Sequence, residues 1–292
     1  MVRALRSRWL KGQIACAVCL SCLFALPADA QPRGNRLLPR YVTVGPPDQA
    51  EGRRVMEEFR QLGLPGDYYL EFVLEILPRR GERSRVPGRL WGSRTHEGPV
   101  SRLALHLLNG SNERLLVSSG TNANIWQWTP GDGVERMPLE EVLDPLAGSH
   151  ATPFDLQMPF VHWPEYVFEG VTRVRGRTAH AFLLYPPGDF AKAHPNVGGV
   201  RIYLDLQFHA LMQAVVLDVD EQPLRTLTVL DLKKVDDQWI VKTIDIRDDA
   251  TRDKTRFRVT GAALGIDFSA GLFTPDALND PVASPDRVQH FD

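Results

Sequence analysis

The chain has 292 residues and a mass of 32.8 kDa, with 43% hydrophobic and 24% charged residues. This is a globular composition that excludes disordered and collagen-like chains and leaves room for one large β domain or two ordinary ones. Acidic residues number 36 against 34 basic ones, a formal net charge of -2, so the basic excess that marks nucleic-acid binding is missing and no nucleic-acid partner is expected.

The chain opens with Arg3, Arg6, Arg8 and Lys11, continues through an apolar stretch at residues 14–26, and reaches Ala28-Asp29-Ala30 ahead of Gln31. A basic region, a short apolar run and a small-x-small site make a cleaved secretory signal peptide of residues 1–30. The run is shorter than the roughly 20 residues of a membrane span. A periplasmic mature protein starting at Gln31 is expected. All three cysteines, Cys16, Cys19 and Cys22, fall in this segment. Cys22 follows Ser21 but has Cys19 three residues before it, where lipid attachment needs a leucine-like residue, so no lipid anchor is expected. A mature chain without thiols has neither disulfides, thiolate metal sites nor cysteine nucleophiles.

Residues 31–47 are rich in Pro, Gly and Arg without a period and read as a flexible segment. Val55, Met56, Phe59 and Leu62 then fall at helical spacing between Asp48 and the closing Gly63 and Pro65, which predicts one amphipathic helix. From Tyr68 the period becomes two: Tyr68, Leu70, Phe72, Leu74 and Ile76 alternate with Tyr69, Glu71, Val73, Glu75 and Leu77, a strand. A Gly- and Arg-rich turn at 79–85 follows, then Arg89-Leu90-Trp91-Gly92. Next, Leu103, Leu105 and Leu107 share one face, and Asn109-Gly110 precedes the apolar run from Leu115. Asn-Gly between two such runs predicts a type I′ hairpin.

A strand at 124–129 ends in Pro130-Gly131-Asp132-Gly133. Leu139, Val142, Leu143 and Leu146 predict a short helix, and Thr152 caps a second helical turn through Phe154, Leu156, Met158 and Phe160, interrupted at Pro153, Pro159 and Pro164. Seven further strands are predicted at 166–174, 178–185, 200–205, 211–218, 224–235, 239–248 and 254–262, with short polar turns between them. Without βαβ alternation a parallel nucleotide-binding sheet is excluded. The expected fold class is mainly β (α+β), an antiparallel incomplete β-barrel with short helices closing the concave face over 48–278, followed by a disordered tail at 279–292 that contains Pro281 and Pro285.

The residues from Phe154 to Leu278 resemble the outer-membrane lipoprotein-sorting family, the LolA-like periplasmic carriers. The matching order is Thr152-Pro153-Phe154-Asp155-Leu156, Leu183-Leu184-Tyr185-Pro186, Val200-Arg201-Ile202-Tyr203-Leu204-Asp205, Asp237-Gln238-Trp239-Ile240-Val241-Lys242, Lys254-Thr255-Arg256-Phe257 and Phe273-Thr274-Pro275-Asp276-Ala277-Leu278. The earlier Gly88-Arg89-Leu90-Trp91 and Asn124-Ile125-Trp126 fit the family's first half more loosely. The resemblance implies a half-barrel whose apolar interior shelters the acyl chains of a lipoprotein or another lipid. It also implies an inner-membrane transporter and an outer-membrane acceptor as partners.

Strand parity selects Leu70, Phe72, Leu74, Leu103, Leu105, Leu211, Val215 and Leu217 as the lining of such a cavity, with plain core packing as the alternative use of each. Leu156, Met158 and Phe160, in the proline-broken segment 139–164 hinged at Gly148 and Ser149, are the expected lid, and a permanent plug is the alternative. Met repacks readily and suits a lid. Trp91, Trp126 and Trp128 form a candidate aromatic rim.

Catalytic signatures are missing. The eight histidines stand singly, with no His-Glu-x-x-His, no Gly-x-Ser-x-Gly and no phosphate loop. Asp218-Val219-Asp220-Glu221 lacks the glycine of a calcium loop and reads as a hairpin turn. Arg79, Arg80, Arg83 and Arg85 crowd one turn that offers charge to anionic headgroups or an acidic partner. The expectation is a monomeric, non-enzymatic carrier without cofactor or metal. An envelope sensor of the same fold is the main alternative, and an enzyme with a dispersed carboxylate site the more distant one.

Overall fold

The computed structural model describes residues 46–120 and 123–291. The expected signal peptide, residues 1–30, and residues 31–45 lie outside them. Helix α1 spans Gln49–Gln61, and Asp48 caps it by accepting the Ala50 N–H at 2.8 Å. Its buried side, Val55, Met56 and Phe59, is the predicted one.

Fourteen strands follow among the described residues: β1 Asp67–Leu77, β2 Ser84–Thr95, β3 Gly98–His106, β4 Asn112–Ser118, β5 Asn124–Thr129, β6 Gly133–Arg136, β7 Tyr166–Val174, β8 Arg177–Leu184, β9 Gly199–Asp205, β10 Leu211–Leu217, β11 Pro223–Val235, β12 Gln238–Asp248, β13 Lys254–Ile266 and β14 Gln289–His290. Two antiparallel meanders, β6 to β1 and β13 to β7, join where β1 pairs with β13, with Leu74 opposite Phe257. Strands β6 and β7 are the free edges, so the sheet is a half-barrel and not a closed one. Helix α2, Pro153–Gln157, lies in the segment that connects the two halves between β6 and β7, and α3, Gly188–Ala193, lies between β8 and β9 of the second half.

The sheet buries alternate residues on its concave face. Tyr68, Leu70, Phe72 and Leu74 join Leu90, Leu103, Leu105, Leu115 and Val117 there, and from the second meander come Phe182, Ile202, Leu227, Ile244 and Phe257. On the convex face, parity delivers charge. Asp245 pairs with Arg256 at 2.6 Å and Lys254 at 2.9 Å, and Glu75 with Arg258 at 2.7 Å and Arg85 at 3.6 Å, a ladder across β12, β13, β1 and β2. Cross-strand pairs of opposite charge each contribute a few tenths to about 1 kcal/mol. Burial alone would raise the Asp245 carboxyl, but the bonds from Arg256 and Lys254 outweigh it and hold it below the usual carboxylate range.

Four local expectations are corrected. At Asn109-Gly110 the hairpin forms, but only Gly110 takes a positive φ, +83°. Its N–H donates to the Leu107 carbonyl, and Leu107 N–H donates to Ser111, the longer loop with glycine in the left-handed position in place of type I′. The helix predicted through Leu139 and Leu146 is two single turns, Leu139–Glu141 and Leu146–Gly148, because Pro145 has no N–H for the helical ladder. The three predicted rim tryptophans do not rim the concave face, and of them Trp126 borders a cleft, one of about 220 Å³ beside Phe273 and Pro275. Trp91 is buried against Tyr69 on the convex face, with ring centroids 5.4 Å apart, and Trp126 and Trp128 pack under the C-terminal segment.

The fourth correction is that segment itself, which is ordered where its prolines suggested a disordered tail. Leu278 is fully buried against Val100 and Leu116. The guanidinium of Arg102 donates to the Asp280 carbonyl, Arg114 donates to Leu278 at 2.7 Å while stacking on Trp128, and Ser284 bonds the Tyr69 hydroxyl at 2.7 Å. Strand β14 then pairs with Gly261 and Ala262 of β13. Proline-rich composition signals irregular backbone, and this strap is irregular, but side chains from four strands fix it.

Candidate functional site

The concave face is the candidate site. Leu70, Phe72, Leu74, Leu103 and Leu105 all lie there, buried in one core. Two glycines of β2 shape it. A Cβ on Gly88 would stand 2.3 Å from the Phe72 ring, and one on Gly92 2.0 Å from the Tyr68 ring. Both rings lie in the recesses these glycines leave. Phe72 also stacks on Phe257 at 4.6 Å, so the interior between β1, β2 and β13 is filled by side chains.

The lid residues Leu156, Met158 and Phe160 enter the same core, with Phe154, Phe160, Trp163 and Phe190 forming an aromatic cluster under the sheet. The local sequence explains the shape of this segment. Thr152 and Asp155 form a reciprocal capping box at the start of α2, Pro153 occupies the first helical position, and Met158 ends the helix at φ +47° before Pro159.

The segment is tied to the sheet by a small set of polar bonds. Arg225 of β11 donates through Nη1 to Thr152 Oγ1 at 2.7 Å and to Asp155 Oδ2 at 2.9 Å. On the other half, Gln157 Nε2 donates to the Ser118 carbonyl at 2.9 Å and Ser119 Oγ to the Gln157 carbonyl at 3.0 Å. His150 N–H donates to Thr255 Oγ1 at 2.7 Å, and Arg60 of α1 donates to the carbonyls of Val161 and Trp163. Burial, and then Arg60 and Arg94 nearby, push the His162 imidazole below its ordinary value.

A cleft of about 380 Å³ opens at the end of the sheet where β7 turns into β8. The sheet curls so far that Arg175 in that turn donates to the Val229 carbonyl of β11 at 3.2 Å. Leu211, Met212, Val229, Leu232 and Trp239 give the cleft apolar walls, and Arg175, Arg177 and Asp205 a polar rim. Of the predicted lining residues only Leu211 borders it; Leu70, Phe72, Leu74, Leu103 and Leu105 are packed inside.

Strand β10 departs from the predicted parity. Register shifts on both sides of it, between Leu211 and Gln213 and between Val216 and Leu217, change which residues face inward. Leu211, Ala214 and Val216 belong to the core; Val215 faces away and is half-exposed, and Leu217 is buried outside the main core. Bulges of this kind insert one residue and reverse the alternation beyond it. Sequence reasoning also missed Arg225 and Glu113. Glu113 stands opposite Leu105 on the concave side, accepts from Gln127 Nε2 at 2.8 Å, and is pushed above the usual carboxylate range by burial. The Thr-Pro-Phe-Asp capping box was legible; nothing local marks the arginine 70 residues away that completes it.

Among the described residues no group of three or more His, Cys, Asp or Glu could hold a metal ion, and no helix is long and apolar enough to cross a membrane.

An open antiparallel half-barrel with an apolar concave face and helices laid into it is the LolA-like fold. Three solved structures share it. A DUF1329 family protein from Desulfovibrio piger superposes with a TM-score of 0.67 at 16% identity, covering 78% of this chain and 98% of its own. An outer membrane lipoprotein-sorting protein domain from Vibrio parahaemolyticus gives 0.64 at 15%, covering 79% and 97%. A LolA superfamily protein from Nitrosomonas europaea gives 0.60 at 11%, covering 77% and 98%. At these identities the likeness is one of fold. No curated protein matches the chain by sequence. A family model described as "Uncharacterized protein" matches residues 111–280, more than half of the chain, and the chain belongs to that family.

Proposed function

We propose that this protein is a non-enzymatic periplasmic carrier that shelters acyl chains of a lipoprotein or lipid against its concave face. The observation that carries the reading is the composition of that face. It is apolar across both meanders, and what covers it, beside α1 and α3, is a short, proline-broken segment held by its own packing and a set of polar bonds. A second sheet packed there would leave nothing to open; a short separate segment leaves a route. In the proposed cycle residues 139–164 swing off the face, Leu156, Met158 and Phe160 give up their contacts to acyl chains, and the cleft beside Leu211 and Trp239 admits the chain end. A closed-to-open difference of a few kcal/mol is what differential binding of a ligand can overcome.

Exchange with an inner-membrane transporter and an outer-membrane acceptor belongs to the same proposal, as does export through cleavage of residues 1–30. The fold neighbours from Vibrio parahaemolyticus and Nitrosomonas europaea support the carrier reading by architecture. The test is native mass spectrometry with lipid extraction on protein purified from its own envelope. Stoichiometric acylated material released on unfolding is the expected result. Lipid-free protein that also takes up no lipid from micelles sinks the proposal.

A further inference from the structure

At the end of the sheet opposite the Leu211 cleft, the β1–β2 turn and the β12–β13 turn stand side by side, joined by the Arg79 N–H donating to Asp253 Oδ1 at 2.6 Å. Between them lies an open cleft of about 400 Å³ whose charged wall is Arg79, Arg83, Arg252, Arg256, Lys254 and a single carboxylate, Glu75. In a chain of net charge -2 this is a concentrated excess of cations, assembled from turns about 170 residues apart.

Of the acidic groups around it, Glu82 on the β1–β2 turn lies outside the cleft lining, and the others are already engaged. Asp245 holds Lys254 and Arg256, Glu75 holds Arg258 and Arg85, and Asp249 holds Arg247 and the Thr226 hydroxyl. Asp248 accepts the Ala250 and Thr251 N–H groups of its own turn, and Asp253 is taken by Arg79 N–H. The guanidinium groups of Arg79, Arg83 and Arg252 have no ion pair among the described residues, and all three residues are exposed. Arginines left over in this way present forked donors matched to phosphate oxygens.

We infer that this cleft binds the phosphate of an anionic phospholipid headgroup, so that this end of the half-barrel rests on a lipid surface. A surface is favoured over a free ion because the three arginines are exposed on turn tips, with Leu77 and Pro78 beside them, and no buried side chain encloses an ion. The inference goes beyond the acyl-chain reading and stands without it. One consequence joins them: Thr255, between Lys254 and Arg256, is the residue that anchors the His150 end of the lid segment.

The test is flotation of protein purified from its own cells with phosphatidylethanolamine vesicles, with and without phosphatidylglycerol. Binding is expected only with phosphatidylglycerol and should weaken with salt. Each arginine near an anionic surface is worth about five-fold, so Arg79→Glu, Arg83→Glu and Arg252→Glu together should weaken binding on the order of a hundred-fold. The control Arg53→Glu, Arg173→Glu and Arg287→Glu, equal in charge change but elsewhere on the surface, should bind nearly as the parent does. If the first triple variant does not fold, Arg83→Gln alone should weaken binding about five-fold. Equal loss in the control, unchanged binding in the cleft variants, or binding of inorganic phosphate without vesicle binding overturns the inference. Lipid extracted from the protein interior reports separately on the carrier reading.

Discussion

The side-chain amide of Gln49 makes two hydrogen bonds to the backbone of Phe168, accepting its N–H at 3.0 Å and donating to its carbonyl at 2.8 Å. A single side chain thereby stands in for a neighbouring strand on the edge strand β7, beside the bulge between Phe168 and Gly170. One turn further along α1, a Cβ on Gly52 would meet Phe168 Cβ at 2.4 Å, so the helix docks this closely only with glycine there. Covering an edge in this way blunts edge-to-edge association. Gln49→Ala is expected to lower stability by about 1–2 kcal/mol and Gly52→Val by about 1–3 kcal/mol through overpacking. Urea midpoints at constant m measure both; a loss below about 0.5 kcal/mol for either contradicts the docking geometry.

Arg225 donates to both members of the α2 capping box, Thr152 and Asp155. Replacing it with Met leaves the buried Asp155 carboxylate without its cation, a change worth about 3 kcal/mol in comparable buried pairs. Amide hydrogen exchange should quicken across residues 139–164 while β8 and β9 stay protected. Unchanged protection of that segment would show that packing alone holds it, which is the behaviour of a plug.

Phe72 and Leu105 meet in the recess above Gly88. Phe72→Ala is expected to cost about 3–5 kcal/mol and Leu105→Ala about 2–5 kcal/mol, and a charged residue at either position should unfold the domain before lipid uptake can be assayed. Wild-type thermal stability in both alanine variants would mean that these side chains line open space.

Glu113 makes stability depend on pH in an unusual direction. Its folded-state value is raised by burial, so between the unfolded and folded values the native state holds a proton that the unfolded state has lost. Its contribution is therefore most favourable below the unfolded value, and it declines as pH rises through the folded one. Glu113→Gln keeps a partner for Gln127 and removes the charge. It should stabilise the protein by on the order of 1 kcal/mol at neutral pH, with the gain disappearing in acid. Equal effects at both pH values would place the carboxylate in contact with water.

N-terminal sequencing of the exported protein should begin at Gln31, with an intact mass free of acyl groups. A start at Cys22 or an added acyl mass would make this a lipid-anchored protein.

Period-two alternation was enough to place the strands of both meanders other than β6, and the inward set Leu70, Phe72, Leu74, Leu103 and Leu105, because on a strand the facing of a side chain follows directly from its position. The Asp48 and Thr152 caps were equally local, since each residue bonds within its own turn. Where alternation was interrupted the reading went astray: the bulges of β10 turned Val215 outward, and no residue type announces them. Prolines 281 and 285 signalled irregular backbone truly but said nothing of the partners that order it. The sequence by itself therefore determined an antiparallel, one-side-apolar sheet with a broken helical segment. Tertiary structure alone decided that the concave face is filled, that Arg225 reaches the Thr152–Asp155 cap, and that two distant turns pool their arginines. Each of these depends on contacts between residues far apart in the chain, and such contacts leave no local pattern to read.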